Sequence, residues 1–305
     1  MKRQGTFPFT AIIGQEEMKK ALVLNVVNPR LGGVLIQGEK GTAKSTAVRA
    51  LADLLPPRLC IKGCKFHDDP NDKSNWCDEC HEKYDNAAPE TEELPMKVVE
   101  LPVSATEDRV VGTLDIKAAI KEGKRSFETG ILADANRNIL YVDEINLLDD
   151  HVVDVLLDSA AMGINTVERE GISYSHPARF SLVGTMNPEE GDIRPQLLDR
   201  FALSVYVAGE KDLDKRAEVI KRRLEYEDDP EEFIKKWEEE QQNEVHRIQR
   251  AMKLLPQLTT SNEILRMVAQ ISITLGVDGH RADIVLIKTA ETLAAVAGHT
   301  EVTKE

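Results

Sequence analysis

The sequence contains no stretch approaching the ~20 consecutive apolar residues that span a bilayer. Its start, Met1-Lys2-Arg3 followed by Gly5-Thr6-Phe7-Pro8 and Gln15-Glu16-Glu17, holds no apolar signal core. The expectation is a cytoplasmic protein without membrane insertion. Basic residues are in deficit: 39 Lys and Arg stand against 53 Asp and Glu in 305 residues, a formal net charge of −14. Such a balance lacks the overall electrostatic footprint of a nucleic-acid binder. Cysteine is scarce as well. Four cysteines in a chain read as cytosolic do not build a disulfide framework, which leaves free thiols or a metal site. Internal repeats and low-complexity linkers are also missing. What remains is 41% hydrophobic residues, sufficient over this length for about two domains with ample core.

Residues 1–210 alternate short apolar runs with amphipathic stretches, the pattern of an α/β domain with a mostly parallel sheet. The strand candidates are Gly33 to Gln37, Met96 to Leu101, Ile139 to Val142, Ser181 to Gly184 and Leu203 to Val207. Each is a continuous run with little alternation, as expected for strands buried on both faces. Residues 211–305 read instead as an all-α lid, with helices near 212–226, 230–253, 260–275 and 281–297. The charged segment 225–244 reads as a solvated helix face. One polar insertion, residues 56–95, interrupts the α/β pattern and holds all four cysteines.

Gly38-Glu39-Lys40-Gly41-Thr42-Ala43-Lys44-Ser45-Thr46 follows a strand candidate and opens a helical run. In that setting backbone N–H groups and a helix N-terminus cradle phosphates, Lys44 reaches the β- and γ-phosphates of ATP, and the Ser45 hydroxyl ligates Mg²⁺. Ala43 stands where the strict pattern has glycine. Its methyl group is tolerable if the residue enters the helix with negative φ, while Gly38 and Gly41 keep the flexible positions. Downstream, Ile139 to Val142 ends in Asp143-Glu144. Asp143 can hold the Mg²⁺ shell and Glu144 can polarise the attacking water, so the pair makes nucleotide hydrolysis the favoured chemistry.

The strand candidate ending at Thr185 leads to Asn187-Pro188, where a short amide can orient the lytic water. Asn before Pro is equally an ordinary turn starter. Arg200 falls at the end of a short helical run, where it can stabilise a transferring phosphoryl group in a neighbouring subunit or simply pair with an acid such as Asp199. Arg281 sits at a helix start, opposing the helix dipole, which hints at a phosphate ligand.

Together these motifs resemble the AAA+ P-loop ATPases, and more narrowly the small, I-type ATPase subunits of magnesium chelatase and their cobalt-chelatase relatives. The resemblance runs over almost the whole chain. Its most specific blocks are Ala105 to Ile116 and Asn165 to Ser173, joined by Phe7 to Gln15, Leu140 to His151, Asn187 to Gly191 and Arg194 to Phe201. It implies a three-layer α/β/α core with Walker A at Gly38–Ser45, Walker B at Asp143–Glu144, sensor 1 at Asn187, an arginine finger at Arg200 and a sensor 2 arginine at Arg281. It also implies a helix-2 insert at 104–130 and a hairpin before sensor 1 at 163–179, both facing a ring pore or partners. The expected assembly is a homo-oligomeric ring, a hexamer, working with an integrin-domain AAA+ subunit and a large tetrapyrrole-binding subunit that inserts Mg or Co. Ala43 also occurs in MoxR-like AAA+ ATPases, so a remodelling chaperone that matures a metalloenzyme is the alternative. A nucleic-acid translocase is disfavoured, because Glu168-Arg169-Glu170-Gly171 carries two acids against one base.

The insert departs from the photosynthetic chelatases in carrying Cys60-x3-Cys64-x2-His67-x9-Cys77-x2-Cys80. Soft ligands in two short clusters suit Zn²⁺ or an iron–sulfur cluster. The expected ligands are Cys64, Cys77 and Cys80, with Cys60 or His67 completing the shell. Free cysteines in a loop are the competing reading.

Overall fold

A computed structural model describes residues 5–84, 86–115, 126–169, 172–277 and 279–304. Positions 116–125 of the expected helix-2 insert, and Glu170 and Gly171 of the expected hairpin, lie outside the described residues. The first half of the chain runs α1 (Glu16–Val27), β1 (Val34–Gly38), α2 (Lys44–Ala52), β2 (Arg58–Ile61), α3 (Asp78–Tyr84), β3 (Thr91–Leu94) and β4 (Val98–Leu101). Next come α4 (Glu107–Val111), β5 (Gly112–Asp115), β6 (Ser126–Thr129), α5 (Ile131–Ala135), β7 (Ile139–Val142) and α6 (Asp150–Met162). The α/β part closes with β8 (Ile164–Arg169), β9 (Ile172–Pro177), β10 (Ser181–Met186), α7 (Pro195–Leu198) and β11 (Leu203–Val207). The remaining helices are α8 (Leu213–Asp228), α9 (Pro230–Lys236), α10 (Glu238–Leu254), α11 (Asn262–Thr274) and α12 (His280–Ala297).

All five apolar runs enter one sheet in the order β11-β1-β10-β7-β4, and every pair in it is parallel. Parallel neighbours cannot be joined by a hairpin, so each return crosses a face of the sheet and covers it. One face packs against α1 and α2 through Leu22, Val26, Val48 and Leu51, the other against α5 and α6 through Leu132, Val153, Leu156 and Leu157. Burial on both faces holds in full for the inner strands β7 and β10. Edge strand β11 instead alternates: Leu203, Val205 and Val207 pack on the α1 and α2 side, while Tyr206 on the opposite face is 65% exposed.

Two antiparallel hairpins project from this core. β5 pairs with β6, and β8 pairs with β9 from Ile164 opposite Pro177 to Arg169 opposite Ile172. The cysteine-bearing insertion is more ordered than a polar loop: β2 and β3 pair antiparallel, and Phe66 and Trp76 are buried with Cys77 and Cys80. That small core borrows Ala133 and Tyr174 from outside the insertion, which is how so few apolar residues of its own suffice.

The single helix expected over 230–253 is divided. Trp237 breaks it at φ −102° and ψ 7°, with its ring beside Phe233 at 6.3 Å and the Arg222 guanidinium over it at 4.4 Å. The last helices dock back on the core: Ala251 and Ala295 are fully buried alongside α1, and Asn28 donates to Thr292 Oγ1 at 3.0 Å. No helix among the described residues is long and apolar enough to cross a membrane.

Candidate functional site

The carboxyl ends of β1, β7 and β10 open on one cavity of about 530 Å³, lined by Lys40 to Thr46, Asp143, Glu144, Thr185 and Asn187. A pocket at strand carboxyl ends is where open α/β sheets bind ligands. Gly38 ends β1 at φ +152°, and a Cβ there would lie 2.0 Å from the Val207 carbonyl oxygen. Only glycine permits the turn into the loop. Gly41 has φ +82° with no atom within 4 Å of an added Cβ, which leaves open space beside the backbone of the loop. Ala43 corrects the expectation of a negative φ: it stands at φ +60° as the N-cap of α2. The loop holds Ala43 in the left-handed region because Gly41 to Ala43 must turn before the helix starts at Lys44.

Lys44 Nζ donates to the carbonyl oxygens of Gly38, of Glu39 at 3.2 Å and of Met186 at 3.5 Å. Thr42 Oγ1 donates to Glu39 at 2.8 Å, closing the loop. Burial pushes the Lys44 ammonium pKa down, while Asp143 and Glu144 pull it the other way. Asp143 Oδ1 accepts from Tyr141 OH at 2.9 Å and from Thr185 Oγ1 at 2.5 Å. Glu144 has a positive φ of 54°, and its backbone N–H donates to the same Thr185 Oγ1 at 3.2 Å. Its carboxylate lies 3.4 Å from Lys40 Nζ, which also pairs with Glu190 at 2.6 Å. Hydrogen bonds to Glu190 first and Glu144 second raise the Lys40 pKa. Asn187 is buried in the cavity wall, and its Oδ1 accepts from Glu189 N at 3.2 Å. The turn-starting role of that asparagine and its place at the site therefore coexist.

The donor set fits ATP with Mg²⁺. A hydroxyl at Ser45 and a carboxylate at Asp143 supply hard oxygen ligands, and the open glycine loop leads into the helix start at Lys44. Phe7, Ala11, Ile12 and Ile13 give the cavity an apolar side suited to a base, and α8 adds Val219, Arg222 and Arg223. Sequence reasoning missed Thr185 and Tyr141. The signal for Tyr141 was its place two residues before Asp143, on the same side of a strand; that for Thr185 was its place beside Asp143 in the sheet, visible only once β10 is paired with β7.

Arg200 and Arg281 do not line this cavity. Arg200 Nη1 pairs with Asp158 at 2.8 Å and Asp154 at 3.0 Å on α6, and Arg281 Nη2 donates to the Arg200 carbonyl at 2.7 Å. The two expected arginines share one edge of the subunit.

In the insertion, the ligand atoms of Cys64, Asp68, Cys77 and Cys80 all lie within 4.8 Å of one another. Neither Cys60 nor His67 joins them. Cys60 Sγ faces the Arg58 carbonyl at 3.7 Å and Arg137 at 3.6 Å, and burial pushes its thiol pKa up. His67 stands at φ +54° and contributes no ligand atom to this group.

Comparison with known proteins fits this geometry. The AAA domain family (dynein-related subfamily) matches residues 86–201, and the AAA lid domain matches residues 265–305. The chain is 58% identical over 303 residues to the magnesium-chelatase subunit ChlI homolog of Methanocaldococcus jannaschii, covering 99% of this chain and 82% of that protein. It is 51% identical over 306 residues to magnesium-chelatase subunit ChlI of Nostoc, covering 99% and 81%. Among solved structures, a chain from the cryo-EM-based complex of subunits BchI and BchD of magnesium chelatase superposes with a TM-score of 0.61 at 47% identity, covering 97% of this chain and 90% of that one. With a cavity at the strand ends and near-full-length identity of this order, the chain is an AAA+ ATPase that belongs to the magnesium-chelatase ChlI family.

Proposed function

We propose that this chain is the ATP-hydrolysing ring motor of a metal chelatase, driving the insertion of a divalent metal, Mg or Co, into a tetrapyrrole held by partner subunits. The observation that carries the reading is the division of the site. Lys44, Asp143, Glu144 and Asn187 converge on one cavity, whereas Arg200 and Arg281 meet on an edge outside it. Such a site is completed by a second copy of the chain, which is the logic of a ring, here a hexamer.

In this mechanism Lys44 and the loop from Gly38 to Thr46 hold the ATP phosphates, and Ser45 and Asp143 would hold Mg²⁺, whose charge would offset that of the phosphate oxygens. Glu144 draws a proton from the attacking water, and Asn187 fixes that water's orientation. Arg200 of the adjacent copy, with Arg281 beside it, offsets charge developing on the γ-phosphoryl group. Loss of that group changes what the arginines touch, and so moves the lid helices α8–α12 against the α/β body. The likeness to a chain of the BchI–BchD complex supports a second chelatase subunit as the recipient of that motion, which would be an integrin-domain AAA+ subunit. A large tetrapyrrole-binding subunit would then carry the metal insertion, and the protein would act in the cytoplasm.

The test uses Glu144→Gln, locked with Mg²⁺-ATP, as bait in extract of the source organism, with mass spectrometry of the retained proteins. Recovery of an integrin-domain subunit together with a large tetrapyrrole-binding subunit is the expected result. Recovery of an unrelated metalloenzyme would instead assign the motor to MoxR-like remodelling.

A further inference from the structure

Asp68 is a buried acid of the insertion whose carboxylate is only half paired. It is 1% exposed. One carboxylate oxygen accepts from Cys77 N at 2.7 Å, but the other, Oδ1, is buried with no hydrogen-bond partner. Leaving a buried carboxylate oxygen unpaired is costly unless a cation meets it. Beside this carboxylate stand the sulfurs of Cys64, Cys77 and Cys80: one Asp68 carboxylate oxygen and these three atoms all fall within 4.8 Å of one another.

From this geometry we infer that Cys64, Asp68, Cys77 and Cys80 form a structural Zn²⁺ site. Zinc binds thiolate sulfur at about 2.3 Å in a tetrahedron, which sets ligand sulfurs roughly 3.8 Å apart; Cys64 and Cys77 Sγ stand 3.9 Å apart. A set this tight encloses one ion, whereas an iron–sulfur cluster needs its cysteine sulfurs held wider. The backbone is shaped for thiolate too, with Phe66 N donating to Cys64 Sγ at 3.4 Å. Such outer hydrogen bonds fix and neutralise metal-bound sulfur. Four protein ligands close the coordination sphere, as in structural sites rather than catalytic ones.

The ion would tie the turn from Cys64 to Asp68 to the start of α3. Between those ligands Phe66 projects into the fold, its ring 4.6 Å from His176 of β9 and 6.4 Å from Phe127 of β6. Zinc thus sets the wedge that joins both hairpins to the insertion.

The test is metal analysis of the full chain purified without added metal, alongside single variants. One zinc per chain is expected in the wild type, lost in Cys80→Ser and weakened in Asp68→Ala, and retained in Cys60→Ser and His67→Ala. Nucleotide binding by each variant reports whether it has folded. If Cys80→Ser does not fold, Co²⁺ titration of the metal-stripped wild type replaces it: thiolate-to-cobalt charge transfer and intense tetrahedral bands should saturate at one equivalent and vanish on adding Zn²⁺. A wild type that holds no stoichiometric zinc and gives no tetrahedral cobalt spectrum overturns the site. So does bound iron, or zinc lost from Cys60→Ser or His67→Ala but kept by Cys80→Ser.

Discussion

Thr185 Oγ1 donates to Asp143 Oδ1 at 2.5 Å and accepts from the Glu144 backbone N–H at 3.2 Å. One hydroxyl on β10 thereby fixes both acids at the end of β7: it orients the carboxylate of the first and pins the backbone that holds the second at a positive φ. Residues that orient a metal ligand typically matter by about 10- to 100-fold in affinity or activity. Thr185→Val keeps the volume and removes the donor. Its expected effect is a fall in ATP turnover of about that size, with a higher Mg²⁺ requirement and unchanged nucleotide affinity in the absence of Mg²⁺. A Mg²⁺ titration of steady-state hydrolysis that superposes on the wild type would remove Thr185 from the site.

Glu144→Gln keeps the shape of the side chain and its reach to Lys40 while abolishing its basicity. Hydrolysis should drop by ~10²-fold or more, as for loss of a positioned general base, and ATP binding should persist. Near-normal single-turnover hydrolysis by the variant would move the base to another residue.

Arg200 and Arg281 should act together and on a neighbour. Mixing Arg200→Ala chains, which keep their own cavity, with Glu144→Gln chains, which keep Arg200, should restore hydrolysis above that of either variant alone, because the Glu144→Gln chain lends its arginine to its neighbour's cavity. The Arg281 guanidinium holds the Arg200 backbone carbonyl at 2.7 Å, so Arg281→Ala should be complemented by Glu144→Gln in the same way. Mixed rings of the two variants that show no such complementation would place both arginines in their own chain's site.

Much of this arrangement was readable before folding, for a physical reason. Strands buried on both faces must be continuous apolar runs, so Ile139 to Val142 and Ser181 to Gly184 announced themselves, and the acids and Asn187 had to fall at their carboxyl ends. Thr185 was hidden because its importance lies in the register of β10 against β7, a pairing between residues far apart in sequence. Asp68 was hidden for a different reason. An aspartate among cysteines reads as an ordinary loop acid until the fold buries it beside Cys77 and leaves Oδ1 unpaired. The conformation of Ala43 was misjudged because alanine carries no local mark of a left-handed turn; the neighbouring loop imposes it.

That conformation gives a stability test. A left-handed backbone costs a residue with a Cβ roughly 1–2 kcal/mol, whereas glycine loses about 0.4–1 kcal/mol more unfolded-chain entropy on folding. The first effect is the larger. Ala43→Gly should therefore raise the unfolding free energy by about 0.5–1 kcal/mol, seen as a higher urea midpoint with an unchanged slope. A lower midpoint would show that the Ala43 methyl group makes a contact worth more than the strain.

The joint between the β8–β9 hairpin and α4 should respond to pH through His176. Its Nδ1 lies 2.9 Å from the Pro177 carbonyl, an acceptor, so Nδ1 carries the proton, and Nε2 accepts from Asn165 Nδ2 at 2.9 Å. Asn165 cannot simply turn its oxygen toward a protonated ring, because the same Nδ2 also donates to the Val111 carbonyl at 2.9 Å. Burial pushes the His176 pKa below its usual value, against smaller opposing effects that include the nearby Asp68. The neutral ring belongs to the folded state, and the unfolded chain binds the proton more readily. Stability from this group is then complete above the unfolded value of about 6.5 and declines as pH falls below it toward the folded pKa. Urea midpoints measured across that range should fall with pH in the wild type. In His176→Phe the protein should start less stable, having lost the bond to Asn165, yet the midpoint should depend less steeply on pH, the remaining slope coming from groups such as half-buried His67, whose pKa is likewise lowered. An unaltered slope in that variant would mean that the hairpin joint does not sense protonation.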